Sequence, residues 1–235
     1  MCEEGSLERA REAGLTRIAT IGMNDESWQK AAVLASDHDD VFAIVGVHPN
    51  EAAGYDDATI EQVRRRALAD KVVAIGETGL DYYRDYAPKE DQQRAFDAHL
   101  ELASDLGLPV VIHTRAAEAD TFAALRDFGG TVVLHCFSSP DRVDECIERG
   151  YICSFAGNVT YPKSSDLQRA AKHIPDELLM VETDAPFLSP QPLRGKPNEP
   201  GNVTHTARFV AELRGLDYDE LDALVERNSA RVFDW

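Results

Sequence analysis

Four apolar runs rich in β-branched residues constrain this chain more than any other feature: Val72-Val73-Ala74-Ile75, Pro109-Val110-Val111-Ile112, Thr131-Val132-Val133-Leu134 and Leu178-Leu179-Met180-Val181. None alternates with polar residues. A sheet with one wet face alternates, so runs of this kind predict parallel strands covered on both faces. Parallel strands need crossover connections, and the chain must therefore interleave strands with helices.

Read on that basis, seven strands are predicted: Thr16 to Gly22, Val41 to Pro49, Val72 to Gly79, Pro109 to Arg115, Thr131 to Phe137, Tyr151 to Gly157 and Leu178 to Ala185. Helical patterns lie between them. Pro88 to Gly107 places Phe96, Leu100, Ala103 and Leu106 on one face and stops at a glycine suited to the C-terminal cap. Ser139 before Pro140 reads as an N-cap opening a helix that ends at Gly150, and Asp217 with Glu220 reads as a capping-box start for the last helix. The expected fold is α/β, a TIM (β/α)8-type barrel with seven strands evident, as one domain over residues 1–235. Its length is close to the roughly 250 residues such barrels use.

Each apolar run leads into a residue able to hold a divalent metal: Glu77, His113, His135 and Asp184. Barrel enzymes keep their chemistry at the carboxyl ends of the strands, where these four are expected. A period of two puts Ile75 and Val73 below Glu77, Val111 below His113 and Val133 below His135, all facing inward, with Ala74, Ile112 and Leu134 facing the helices. Imidazole and carboxylate together suit borderline divalent ions, and bound ions lower the pKa of water and stabilise charge on phosphoryl oxygens. Asp184 is the best-placed base for that water. His48, in Gly46-Val47-His48-Pro49, also follows a strand and is a candidate for substrate contact or for supporting a ligand. His38, His99, His173 and His205 are assigned no role.

Cys2, Cys136, Cys146 and Cys153 form no Cys-x-x-Cys pair and are read as reduced thiols. No signal peptide and no apolar run of 18 residues is present, so the expected location is cytoplasmic, with no membrane contact and no obligate protein partner evident.

Several segments together resemble one family. Gly46-Val47-His48-Pro49, Gly76-Glu77-Thr78-Gly79-Leu80-Asp81-Tyr82, His113-Thr114-Arg115, His135-Cys136-Phe137-Ser138, Glu182-Thr183-Asp184-Ala185-Pro186-Phe187-Leu188 and Pro192-Leu193-Arg194-Gly195-Lys196-Pro197-Asn198-Glu199-Pro200 look like the TatD-type metal-dependent deoxyribonucleases. The similarity runs from about Thr16 to Asn228-Ser229-Ala230-Arg231-Val232-Phe233. It implies an amidohydrolase-like barrel that hydrolyses DNA phosphodiesters with one or two divalent ions (Mg, Mn or Zn), as an exonuclease on single-stranded ends. By the family pattern Glu77 is shared between two metals, His113 and His135 complete the second site, and Asp184 belongs to the first site and handles the catalytic proton.

The sequence departs from that pattern at its start. Family members open on a strand carrying a His-x-His pair, and Met1-Cys2-Glu3-Glu4-Gly5 leads directly into Ser6 to Gly14, which resembles the following helix. The first strand is therefore expected to be missing, leaving the first metal with Glu77 and Asp184. A misplaced start codon explains this more simply than a real truncation, and the upstream reading frame distinguishes them.

DNA contact is expected from Arg115, from Arg194 and Lys196 in a loop rich in proline and glycine, and from Tyr82 and Tyr83 as stacking surfaces for single-stranded bases. Two rival readings are a barrel that lost its first metal site and only binds, and an amidohydrolase-like enzyme acting on amides or lactones. Many of the latter bridge their metals with a modified lysine, whereas Glu77 holds that kind of position here and no lysine ends a predicted strand.

The net charge of -18 is spread along the chain, and 6 of the 24 basic residues are lysine. A dispersed acidic surface poor in lysine points to a cytoplasm of very high salt, where the Debye length falls to about 3 Å at 1 M; an ordinary acidic protein is the alternative. The high-salt reading predicts a melting temperature that climbs with KCl in a thermal-shift titration, and a flat curve counts against it.

Overall fold

A computed structural model describes residues 5–84 and 86–235, so Cys2 lies outside the described residues. These residues form strands β1 (Ile18–Gly22), β2 (Val41–Val45), β3 (Val72–Asp81), β4 (Val110–Arg115), β5 (Val132–Leu134), β6 (Ile152–Phe155) and β7 (Leu179–Val181). The helices are α1 (Ser6–Glu12), α2 (Asp25–Asp37), α3 (Asp57–Ala67), α4 (Lys89–Leu106), α5 (Glu118–Ala124), α6 (Val143–Arg149), α7 (Ser165–His173), α8 (Val203–Arg214) and α9 (Tyr218–Phe233). All seven expected strands are present, most of them shorter than the apolar patterns that announced them. β2 stops at Val45, and Pro49 opens a 3-10 turn, Pro49–Glu51, because its missing N–H and fixed φ suit a turn better than a ladder. No helix among the described residues is long and apolar enough to cross a membrane.

The chain divides into two compact units, one made of Arg17–Leu134 with Phe233–Trp235, the other of His135–Val232 with the N-terminal segment up to Thr16. The first holds β1 to β5, each parallel to the next in chain order. Its strands pair through apolar residues such as Ile21 with Ile44 and Val45 with Ile75. β3 is buried almost throughout, as a strand covered on both faces must be. α2 lies against β1 and β2, where Trp28 is buried and donates its indole N–H to the Gly46 carbonyl at 2.6 Å. α4 covers β3 with Phe96, Leu100 and Ala103, the face expected from its spacing, and ends at Gly107 in the left-handed conformation.

β3 does not keep the expected period of two. Gly76 pairs with Val111 and Thr78 with Ile112, so Glu77 is an extra residue opposite no partner, a β-bulge. The column Val73, Ile75, Glu77 is therefore interrupted at Glu77. Gly76 and Gly79 adopt φ of 152° and 134°, and a Cβ on either would lie 2.6 Å and 2.1 Å from the carbonyl oxygens of Val111 and His113. Glycine is required at both, since β4 passes too close for any side chain.

In the second unit β6 and β7 pair in parallel, Ser154 with Met180. The buried Asn228 of α9 donates its amide to the carbonyls of Asp176 and Leu179, fastening the helix to the start of β7. α6 ends at Gly150 in the left-handed conformation as expected, but Ser139 does not cap it: a 3-10 turn, Pro140–Arg142, intervenes, and the Ser139 hydroxyl makes no cap bond. The Asp217 N–H does bond to the Glu220 carboxylate at 2.9 Å. Cys136, Cys146 and Cys153 are thiols outside any disulfide, the last two buried.

His99, to which the sequence assigned no role, is buried in α4. It accepts the Val47 N–H at Nε2 (3.0 Å) and bonds the Ala95 carbonyl through Nδ1 (2.6 Å), so its neutral tautomer is fixed. Burial pushes its pKa from 6.5 down to about 4. The unfolded chain takes up a proton that the folded chain refuses, so stability is complete above pH 6.5 and declines toward pH 4, by roughly 3 kcal/mol from this group. In thermal melts across that window, His99→Gln is expected to lose stability at pH 7 and to show a shallower decline on acidification than the parent chain.

Candidate metal centre

The first unit brings three expected residues together. His48, Glu77 and His113 each offer one ligand atom, and these lie within 4.8 Å of one another. Glu77 and His113 lie in the carboxyl-terminal parts of β3 and β4; β3 runs past the expected Gly79 to Asp81, while β4 ends at Arg115 as expected. The bulge is what presents Glu77 there. The Glu77 carboxylate lies 2.8 Å from His113 Nδ1 and 3.5 Å from His48 Nε2, and the two imidazoles meet edge to face at 4.5 Å. Glu77 is buried. A buried carboxylate touching an imidazole nitrogen is a place where a divalent ion can replace a proton, and the mixed nitrogen and oxygen donors suit such an ion.

Behind His113 stands Asp81, which the sequence reading did not single out. Its Oδ2 lies 3.2 Å from His113 Nε2, and its Oδ1 accepts the N–H groups of Tyr83 and Arg84 at 3.0 Å each. Burial pushes this carboxyl up, but the bond from His113 and the amides of Arg84 and Tyr83 outweigh it and hold the pKa down to about 2. Asp81 therefore stays ionised and favours a proton on His113 Nε2, so the proton shared between Nδ1 and the Glu77 carboxylate is the one a divalent ion would displace. Its signal was an acidic residue at the last position of a buried strand.

The second unit uses the same device. His135 follows β5 by one residue, and its Nδ1 lies 2.7 Å from the Glu182 carboxylate, which also accepts the Cys136 N–H at 3.0 Å. Its Nε2 is 3.7 Å from Asp184 Oδ1. Asp184 lies three residues past β7 in the left-handed region, φ 57°, as do Cys136 at 44° and, after β4, Ala116 at 53°. Such backbone persists only where its surroundings enforce it. For Asp184 the enforcement comes from Asn198, a buried amide that donates to the carbonyls of Thr183 and Phe187 while its own N–H reaches Pro186. Glu182 and Asn198 were missed because each acts on a residue far from it in sequence.

The expected substrate contacts separate into two kinds. Tyr82 is engaged: its hydroxyl donates to Asp120 at 2.9 Å and Lys89 lies 3.8 Å over its ring. Tyr83 is 67% exposed and stacks with the Arg115 guanidinium at 3.8 Å. In the second unit Arg194 and Lys196 are exposed, with Arg194 lying 4.0 Å over Tyr161, and Phe187 stands exposed on the clamped loop after Asp184.

The model of the TatD related DNase family matches residues 2–234. The chain is 34% identical over 234 residues to the metal-dependent hydrolase YabD of Bacillus subtilis, described as uncharacterized, across 98% of this chain and 92% of that protein. It is 38% identical over 235 residues to the 3'-5' ssDNA/RNA exonuclease TatD of Pectobacterium carotovorum, across 96% and 90%. Among solved structures it resembles the TatD homolog YJJV of Escherichia coli, with TM-score 0.92, 31% identity and coverage of 99% and 92%. Its fold is thus the α/β, TIM-barrel-like fold expected from the sequence.

Asp81→Asn turns an amide N–H toward His113 Nε2 and favours the tautomer whose Nδ1 carries the proton. The expected result is a loss of Mn affinity of about 10- to 100-fold in a calorimetric titration, with little change in melting temperature.

Proposed function

This chain belongs to the TatD-related DNase family and is a metal-dependent hydrolase acting on ester bonds, and from that premise we propose that it digests DNA from single-stranded ends by hydrolysing phosphodiesters. The observation that carries the proposal is the convergence of His48, Glu77 and His113 around one ion-sized space.

In this reading Glu77 and the Nδ1 of His113 would hold a divalent ion. A bound ion supplies Lewis-acid stabilisation of charge on the phosphoryl oxygens and lowers the pKa of the attacking water. Asp81 fixes the ring of His113, and Glu182 fixes that of His135, which the family pattern makes a further ligand. The family pattern makes Asp184, whose backbone the Asn198 clamp holds, the group for the catalytic proton. The stacked pair of Tyr83 and Arg115 offers a flat cationic face for an unpaired base, and Arg194 and Lys196 offer phosphate contacts in a strongly acidic chain. The expected ion is Mg, Mn or Zn, and mixed imidazole and carboxylate donors suit the borderline ions best. The relatives named above, a metal-dependent hydrolase and an exonuclease, favour this reading over a binding-only barrel or an amide or lactone hydrolase.

Cleavage of end-labelled single-stranded DNA with Mg or Mn tests the proposal. Glu77→Ala is expected to lose at least about 1000-fold in kcat/KM, and equal cleavage by both proteins overturns the assignment. Arg194→Ala is expected to weaken DNA binding several-fold while metal binding holds; an equal loss of both refutes its role.

A further inference from the structure

Apolar side chains exposed singly are ordinary on any protein surface. Val33 in α2 and Leu68 at the end of α3 are of that kind. Phe187 differs in what holds it. It is 68% exposed, and among the described residues of the second unit it is the one large apolar side chain so open to water. Its N–H donates to the Asp184 carbonyl at 2.8 Å, closing a turn over Ala185 and Pro186. The buried Asn198 donates to the carbonyls of Thr183 at 2.9 Å and Phe187 at 2.7 Å, and its own N–H reaches that of Pro186 at 3.0 Å. Just beyond, the Ser189 hydroxyl donates to the Lys196 carbonyl at 2.5 Å, while the Ser189 carbonyl accepts the Tyr161 hydroxyl at 3.0 Å. Asp184 and Leu188, at φ 57° and 51°, place the ring between two left-handed positions that only these contacts enforce. A loop so fully bonded gains no stability by turning a phenyl ring to solvent, because burying the ring is the favourable direction.

We propose that Phe187 is a rigid stacking platform for the unpaired terminal base of the strand being digested. The proposal deepens the phosphodiesterase reading and rests on it for the place of that base beside the reacting phosphate. The surroundings supply what a nucleotide needs besides a flat surface. Asn198 and Ser189 lace the Phe187 loop to the segment carrying Arg194 and Lys196, both exposed. Arg194 lies 4.0 Å over the ring of Tyr161, the residue whose hydroxyl holds Ser189. In a chain of net charge -18 this loop joins an apolar face to two cations. That pairing suits a base linked to its phosphates, and it suits an apolar peptide poorly.

The choice of phenylalanine fits this task. A phenyl ring has no hydrogen-bonding group, so the stack is blind to base identity, and every base has a face to offer. It does require that the face be free. A base inside a duplex has both faces covered by its neighbours, whereas an unpaired terminal base leaves one open. Phe187 thereby selects strand ends, a choice that a metal ion bound to phosphate oxygens has no means of making. The turn from Asp184 to Phe187 joins that selection to the residue given the catalytic proton.

Removing the ring and removing the base are expected to cause the same loss. On end-labelled single-stranded DNA with Mg, Phe187→Ala is expected to lose about 10- to 100-fold in kcat/KM at an unchanged melting temperature. Phe187→Leu, which keeps apolar bulk without a flat ring, is expected to lose nearly as much, and Phe187→Trp to keep the parental rate. An abasic unit in place of the terminal base is expected to slow the parent chain by a similar factor and to slow Phe187→Ala no further. A loss in Phe187→Ala that is equally large on intact and abasic strands overturns the proposal, as does a parental rate in Phe187→Ala or Phe187→Leu. Fluorescence anisotropy with Mg and phosphorothioate-linked oligonucleotides, each terminus made abasic in turn, repeats the comparison without cleavage. One abasic terminus is expected to weaken binding to the parent chain about 10-fold and to leave Phe187→Ala unaffected. A parent chain that cleaves no DNA sinks the phosphodiesterase reading, and the binding comparison still decides the platform: no binding, or an affinity unmoved by either abasic terminus, overturns it.

Discussion

The groups behind the imidazoles govern what this protein can bind. A histidine ring has one proton to place when neutral, and the partner on its far side decides which nitrogen keeps it. Asp81 behind His113 and Glu182 behind His135 each favour a proton on the rear nitrogen, whereas the Asn50 N–H behind His48 keeps a proton off its Nδ1. Each partner is itself fixed: Asp81 by the amides of Tyr83 and Arg84, Glu182 by that of Cys136, Asn50 by the turn begun at Pro49. The functional nitrogens therefore inherit their state from the backbone.

The scaffold serves that arrangement at some cost. Ideal strands would carry Glu77 in step with Ile75; the bulge breaks the step and requires a neighbouring glycine at a φ no other residue adopts comfortably. Gly79 brings β3 so near to β4 that the backbone of His113 leaves no room for a Cβ. The uninterrupted burial of β3 supplies the apolar contact that lets such irregular backbone persist.

What could be read from the sequence follows from how local each signal is. The buried strands announced themselves as apolar runs, and the helix stops at Gly107 and Gly150 were visible because a left-handed cap favours glycine. Strand ends were less legible: β-branched runs at Thr131 to Phe137 and Leu178 to Ala185 continue past the last ladder bond, and Val132–Leu134 and Leu179–Val181 are all that pair. Glu77, His113 and His48 were recognisable by type and position, but their grouping was not. The partners that define them, Asp81 for His113 and Glu182 for His135, lie 32 and 47 residues away along the chain, a relation that periodicity does not encode. Tyr82 and Tyr83 are neighbours of one type, and only the surroundings separate an engaged ring from an exposed one.

The left-handed backbone at Asp184 limits which residues can follow it in evolution. At φ 57° a β-branched or bulky side chain is strained, glycine is at ease, and asparagine and aspartate are tolerated because their short polar groups bond locally. Drift at this position is thus filtered by shape before chemistry is considered. The residues that shape admits most easily are aspartate, asparagine and glycine, and of these only aspartate carries a charge. A single substitution at this position can therefore remove the charge without disturbing the fold, and a single substitution can restore it.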